Sequence, residues 1–207
     1  MMRNLNRVDL TVLGQPPVER ADAARSRRTL LAAARVLLAE HGVTALSMDR
    51  LASEAGVGVG TVYRRFSDRG GLAFALLDNE EQRFQEAFMS GPPPLGPGAP
   101  PVARIRAFLH AFVDRLDVEA DLHALGEARN ATARYQVGAY QTNRTHLRTL
   151  LAQADAKVGA DFAAESLLAM LSGGLFIHYR RERGLTVEQI KSNLDQLLDC
   201  LVDRCTG

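Results

Sequence analysis

Thr61, Tyr63, Arg64 and Arg65 share one side of a short stretch, Val59 to Phe66, whose other side carries Val62 and Phe66 at i, i+4 spacing. Hydroxyls and guanidinium groups gathered this way suit phosphate oxygens and the edges of bases. To present them, the stretch must be a helix, and a second helix must hold it up. The residues just before it provide one. Ser47 is a good N-cap, because its hydroxyl can accept a hydrogen bond from an unpaired N–H of the first turn. Asp49 follows, where the helix dipole favours negative charge. Leu51, Ala52 and Ala55 fall on one apolar face. Gly56 is the residue type that most easily takes the left-handed conformation ending a helix. The spacing therefore predicts helix, tight turn, helix over Thr44 to Leu72, with Gly58 and Gly60 keeping the approach to the second helix narrow.

Charge is distributed to match. The whole chain is close to neutral, with 25 Lys and Arg against 24 Asp and Glu. From Arg20 to Leu77, however, there are nine arginines and five acids, a net of +4. Asp78 to Glu86 carries four acids and one arginine, a net of −3. A basic region beside an acidic helix fits a protein that docks a polyanion with one end only. Arg27 and Arg28, in or just ahead of the first helix, form an expected basic arm against phosphate or the minor groove.

The run Ala45 through Leu72 reads AL-S-M-x-x-L-A-x-x-A-G-V-x-x-G-T-V-Y-R-x-F-x-x-R-x-x-L. In that dense, ordered match it resembles the DNA-binding segment of the TetR family of transcriptional regulators. The resemblance covers about the first third of the chain. It departs at Arg69, where the family usually has Lys, and at Gly70-Gly71, which is expected to loosen the start of the next helix. The resemblance implies a sequence-specific DNA-binding regulator, a repressor released by a small molecule and bound to a palindromic operator as a dimer. The residues expected at phosphates are Tyr63, Arg65, Arg69, Ser47 and the helix N-termini. Thr61, Arg64 and the backbone at Val59-Gly60 are expected at base edges.

In chain order, residues 1–22 are expected to form a flexible arm, 23–68 a helix-turn-helix domain and 69–207 a regulatory domain. Helix 1 is predicted over Ala24 to Glu40, with Leu30, Ala34, Leu37 and Leu38 inward. Helix 4 follows from Arg69 to Met89, capped by Ser67, with Leu72, Leu76, Phe84 and Phe88 as contacts. Residues 91–101 hold six Pro and three Gly in eleven positions, a loop no helix survives and an expected seam before the body. Beyond it the pattern is all helical. One stripe runs Val102, Ile105, Leu109, Phe112 and Leu116, and Leu122, Leu125 and Ala128 suggest a short sixth helix. A seventh spans Tyr140 to Val158 and an eighth Phe162 to Arg183. A ninth opens on a capping box, Thr186 with Gln189. The predicted fold class is all-α: a three-helix head joined by helix 4 to a larger helical body, about nine helices in all.

Helices 8 and 9 carry a wide apolar surface, and Gly173-Gly174 would suit close helix approach. The resemblance implies that these two helices pair with their copies in a second subunit, making a homodimer. Helices 5 to 7 are expected to surround an effector cavity lined by Phe108, Phe112, Leu125, Tyr135, Tyr140, Leu147 and His178, with His110 and His123 as further polar candidates. No histidine has the companions a metal site needs, so neither metal nor cofactor is expected. The longest apolar run, Leu167 to Ile177, falls short of the roughly 20 residues of a membrane span, and the protein is expected in the cytoplasm. Cys200 and Cys205, five apart, are expected as reduced thiols. No phosphate loop, nucleophile elbow or metal set argues for an enzyme. The rival reading is a helical dimer that binds a ligand or a protein and has no DNA-binding activity.

Overall fold

The computed structural model describes residues 21–128 and 132–202. Most of the expected flexible arm, and Cys205, lie outside the described residues. Among the described residues every regular element is helical: α1 (Ala21–His41), α2 (Met48–Glu54), α3 (Val59–Phe66), α4 (Arg69–Ser90), α5 (Pro101–Glu127), α6 (Gly138–Gln153), α7 (Ala160–Met170), α8 (Gly173–Ile177) and α9 (Val187–Val202). A 3-10 turn, Val43–Ala45, joins α1 to α2.

The helices enclose two apolar cores. The first unites Leu30, Ala34 and Leu37 of α1, Leu51 of α2, Val62 and Phe66 of α3 and Leu72 to Leu77 of α4. The second unites Phe84 and Phe88 of α4 with α5, α6, α7 and α9. The transition between them therefore falls inside α4, between Leu77 and Phe84. The Pro-rich loop is not a seam: it is the hairpin connection between α4 and α5, which pack along each other. Each well-buried Leu or Phe in these cores contributes roughly 1.5–3 kcal/mol relative to an exposed one.

Several boundaries differ from the sequence expectation. Asp68, not Ser67, caps α4, its carboxylate accepting from the Gly71 N–H at 2.8 Å. Ser67 lies at φ 64°, the left-handed C-cap of α3. Gly71 does not loosen this junction: a Cβ there would stand 2.1 Å from the Phe66 carbonyl oxygen, so glycine is what lets α4 start this close to α3. The stripe of Leu122 and Leu125 is no separate helix but the end of a continuous α5. The expected eighth helix breaks at Leu171-Ser172 into α7 and α8, bent by 49°, and α8 continues into a π-helical turn, His178–Glu182. Ser172 caps the new start, and Gly173 abuts the α5 backbone, so the break serves packing. No single helix among the described residues is long and apolar enough to cross a membrane.

Candidate nucleic-acid interface and buried cavity

The helix-turn-helix is held together locally as its residue types require. The Ser47 Oγ accepts from the Arg50 N–H at 3.2 Å, which caps α2 and leaves the hydroxyl proton free to donate outward. Gly56 sits at φ 64°, and the Val57 N–H reaches back to the Ala52 carbonyl at 3.0 Å, closing the helix end. Val62 and Phe66 are buried, so α3 is anchored by one face alone. Its other face is uncovered: Tyr63 is 48% exposed, Val59 is 40% exposed, and Gly60 and Arg64 are exposed as well. Thr61 and Arg65 are half-buried beside them. A Cβ built on Gly58 or Gly60 would meet nothing within 4 Å, so this end of α3 is open to a large partner.

Three of the arginines expected at DNA take different positions. Arg28 is exposed. Arg27 instead pairs with Asp78 of α4 at 2.8 Å, tying α1 to α4. Arg69 donates to the Val43 carbonyl at 2.6 Å and is partly buried, tying the start of α4 to the turn before α2. Both guanidiniums thus also brace the head from within.

The effector residues expected from sequence scatter. Phe112 and Tyr140 do line a cavity of about 70 Å³ at the head–body junction. Phe108 and Leu147 are fully buried core residues instead, because their stripes face the centre of the body. Leu125 faces the head core, with Leu122, since α5 runs on past the body. Tyr135 is exposed, standing edge-on to Tyr140 with centroids 5.1 Å apart. His178 lies on the surface and shares a hydrogen bond with Glu182 at 2.7 Å. His110 is engaged by Asp195 at 2.8 Å. Of the histidines, only His123 reaches the cavity.

Sequence reasoning missed the polar part of this cavity. Glu81 accepts from Asn143 Nδ2 at 2.9 Å and from Arg115 Nη1 at 2.8 Å, and all three are largely buried. Arg115 in turn lies over the rings of Phe84 and Phe112, at 4.9 and 5.4 Å from their centroids. Glu127 faces Arg134 at 3.5 Å and accepts from the Gly173 N–H at 3.1 Å. Burial pushes the Glu119 and Glu127 carboxyls up, against the pull of Arg115 and Arg134 respectively. A signal existed. Glu81 interrupts the apolar stripe Leu77, Phe84, Phe88 of α4, and Asn143 interrupts Tyr140, Leu147, Leu150 of α6. A polar residue at a core-facing position is the mark of a buried network.

His123 is held to about 3, first by burial and then by the charges of Arg115 and Arg134. His146, stacked on Phe88 at 4.2 Å, is held to about 4, by burial and Arg104. Both stay neutral in the fold but take up a proton near pH 6.5 once unfolded. Between about pH 4 and 6.5 the unfolded chain therefore binds more protons, and stability falls as pH falls through that window. Each histidine is expected to contribute a slope approaching 1.4 kcal/mol per pH unit there. Denaturant melts at pH 7.5 and 5.5 check this: His123→Leu should lose less stability on acidification than the wild-type chain.

The comparisons with known proteins agree with this arrangement. The family model described as bacterial regulatory proteins, tetR family, matches residues 30–76, which run from Leu30 of α1 to Leu76 of α4. An HTH-type transcriptional regulator of Staphylococcus aureus (strain bovine RF122 / ET3-1), SAB2452, is 27% identical over 175 residues, covering 84% of this chain and 93% of the relative. Among solved structures, the TetR-family transcriptional regulator ECA1819 from Pectobacterium atrosepticum superposes with a TM-score of 0.63 at 21% identity, over 89% of this chain and 98% of that one. NalD, the secondary repressor of the MexAB-OprM multidrug efflux pump in Pseudomonas aeruginosa, gives 0.56 at 21% identity, over 89% and 100%. Residues 30–76, which build the head and leave one face of α3 uncovered, therefore carry a helix-turn-helix segment of the tetR family, in a chain whose curated relatives are HTH-type transcriptional regulators.

Proposed function

We propose that the chain is a ligand-released repressor that binds a near-palindromic operator as a homodimer. The observation that carries this reading is α3, anchored by Val62 and Phe66 alone, with Thr61, Tyr63 and Arg64 turned outward. Tyr63, Arg65, Ser47 and Arg28 are assigned to phosphates. Thr61, Arg64 and the Val59-Gly60 backbone are assigned to base edges in the major groove. Arg27 and Arg69 reach phosphate only if they exchange or share their present partners, Asp78 and the Val43 carbonyl.

Reading two half-sites on one face of DNA needs two copies of α3 held one helical turn apart, about 34–36 Å. We assign the pairing surface to α9 and the α7–α8 stretch with its π turn, where Leu197 is 38% exposed beside half-buried Met170, Tyr179 and Leu185. The cavity between α4, α5 and α6 is assigned to the effector. Asp78 joins the two ends of the system, because it lines that cavity and holds Arg27 of the head. An effector that favours one setting of α4 shifts the spacing of the heads by its own preference between the two settings. A regulator of this kind acts in the cytoplasm, where the operator is, and no catalytic step belongs to the reading.

Selection of bound sequences from a random DNA pool, with the mass of the free protein in solution, tests the proposal. A palindrome with half-sites about one turn apart, and a dimer mass, are expected. Tyr63→Ala should weaken binding about tenfold to every sequence alike, since a phosphate contact carries no sequence information. Unchanged affinity in a gel shift would remove α3 from the interface.

A further inference from the structure

Every carboxylate in the cavity wall is already matched by a cation. Asp78 has Arg27 at 2.8 Å, Glu81 has Arg115 at 2.8 Å, and Glu127 has Arg134 at 3.5 Å. Among the described residues of that wall, a charged guest would find no unpaired ion of opposite sign, and its desolvation would go uncompensated. Hydrogen-bonding capacity is a different matter. Asn143 must turn its NH₂ toward Glu81, because a carboxylate only accepts, so its Oδ1 is the end left over. That oxygen is buried without a partner, as are His123 Nε2 and Arg134 Nε. Native interiors rarely leave such groups unmet. The three residues line one cavity, and they offer an acceptor, a donor and an imidazole nitrogen that can serve as either.

The remaining wall is aromatic and aliphatic, with Phe112 and Tyr140 on opposite helices. At about 70 Å³ the space is roughly half of an apolar cavity of about 150 Å³ that admits benzene. A single ring needs more room than this, and the lining side chain that would have to yield it is Phe74. That side chain lines the cavity, is only half-buried and rests on Gly126, whose lack of a Cβ leaves the ring a place to lie.

Building on the proposed repressor reading, we propose that the effector is an uncharged compound of one aromatic ring bearing a hydroxyl or comparable donor–acceptor group. The ring lies between Phe112 and Tyr140. Its polar group donates to Asn143 Oδ1 and accepts from Arg134 Nε or His123.

Three probes of matched ring size and different charge at pH 7.5 test this on the full chain: phenol, benzoate and benzylamine. Phenol should raise the melting temperature in a saturable way, with half-saturation at a concentration at least tenfold below that of either ion. Asn143→Leu should raise the phenol half-saturation concentration at least tenfold. Should that variant fail to melt cooperatively, Asn143→Ser, which is too short to reach, serves with the same expectation. Equal or better stabilisation by benzoate or benzylamine, no saturable effect of phenol, or a phenol response unaffected in the folded variant would each overturn the proposal. The melting assay uses no DNA. A chain that binds phenol as expected but selects no DNA sequence would instead overturn the repressor reading. A chain that selects an operator yet ignores phenol would overturn only the effector class.

Discussion

Arg115→Met is expected to cost roughly 3–5 kcal/mol of folding stability, the usual result of stripping one partner from a buried ion pair. The side chain is 14% exposed and its partner Glu81 is 11% exposed, so both are largely withdrawn from water. Glu119, at 3.5 Å from the same guanidinium, loses a second interaction. Its carboxyl is already pushed up by burial, and Arg115 is the charge that pulls it back down. Glu81 would lose its ion-pair partner while still accepting from Asn143. The loss should appear as a fall in melting temperature of roughly 6–20 °C for a chain of this size. The partner experiment separates a buried charge from lost packing. In the double variant Arg115→Met with Glu81→Gln, most of the loss should return, because Gln keeps a carbonyl for Asn143 and no charge is stranded. A double variant as unstable as the single one would show that the methylenes of Arg115, lying over Phe84 and Phe112, matter more than the pair.

The adjacent glycines of α8 should respond in opposite directions. A Cβ on Gly173 would stand 2.4 Å from the Ala124 amide nitrogen and 2.7 Å from the Ala120 carbonyl, both backbone atoms of α5. Backbone cannot give way as a side-chain tip does. Gly173→Ala must therefore lift α8 off α5, strain the Gly173 N–H to Glu127 bond and open the cavity wall, for about 1–3 kcal/mol net. Gly174 meets nothing within 4 Å. Gly174→Ala should gain about 0.5–1 kcal/mol from helix propensity and reduced unfolded-state freedom. Denaturant titrations of the two variants decide the matter. A loss at Gly174 equal to that at Gly173 would mean that α8 approaches a second backbone as closely as it approaches α5, as in a subunit interface built on both glycines.

That pair of glycines also shows how far reading along the chain reaches. Their helix-breaking cost signals a close approach, and the approach exists, but it is made within the chain against α5. Which surface a glycine lets in depends on how α7 bends into α8, and that bend brings Gly173 against the α5 backbone. Gly71 is the same lesson in reverse. Read locally it weakens a helix start, whereas in the fold it is the position where the Phe66 carbonyl passes too close for any side chain.

Arginine roles were legible only by type. Arg27, Arg64 and Arg69 look alike in a sequence, each near a helix end in a basic segment. In the fold Arg27 pairs with Asp78 and Arg69 with the Val43 carbonyl, while Arg64 is left exposed on α3. Cavity lining was legible even less. Aromatic and apolar residues on helical stripes announce burial, but Phe108 and Leu147 bury into solid core, and Phe112 and Tyr140 into the wall of a void. One helical turn along the same face separates Phe108 from Phe112, and two turns separate Tyr140 from Leu147.

By itself the sequence determined what short-range physics controls. Ser47, Gly56, the Val62–Phe66 pair and the Thr186–Gln189 capping box specify where helices begin, end and turn, through hydrogen bonds and backbone preferences spanning three or four residues. Helical periodicity settled the all-α class in the same way. Only the tertiary structure decided what these helices enclose: that α4 belongs to both cores, that Glu81, Arg115 and Asn143 meet across three helices, and that unmet polar atoms of Asn143, His123 and Arg134 surround a space. Those contacts join residues 34 and 62 positions apart, and they arise from how the helices cross rather than from any residue's own preference.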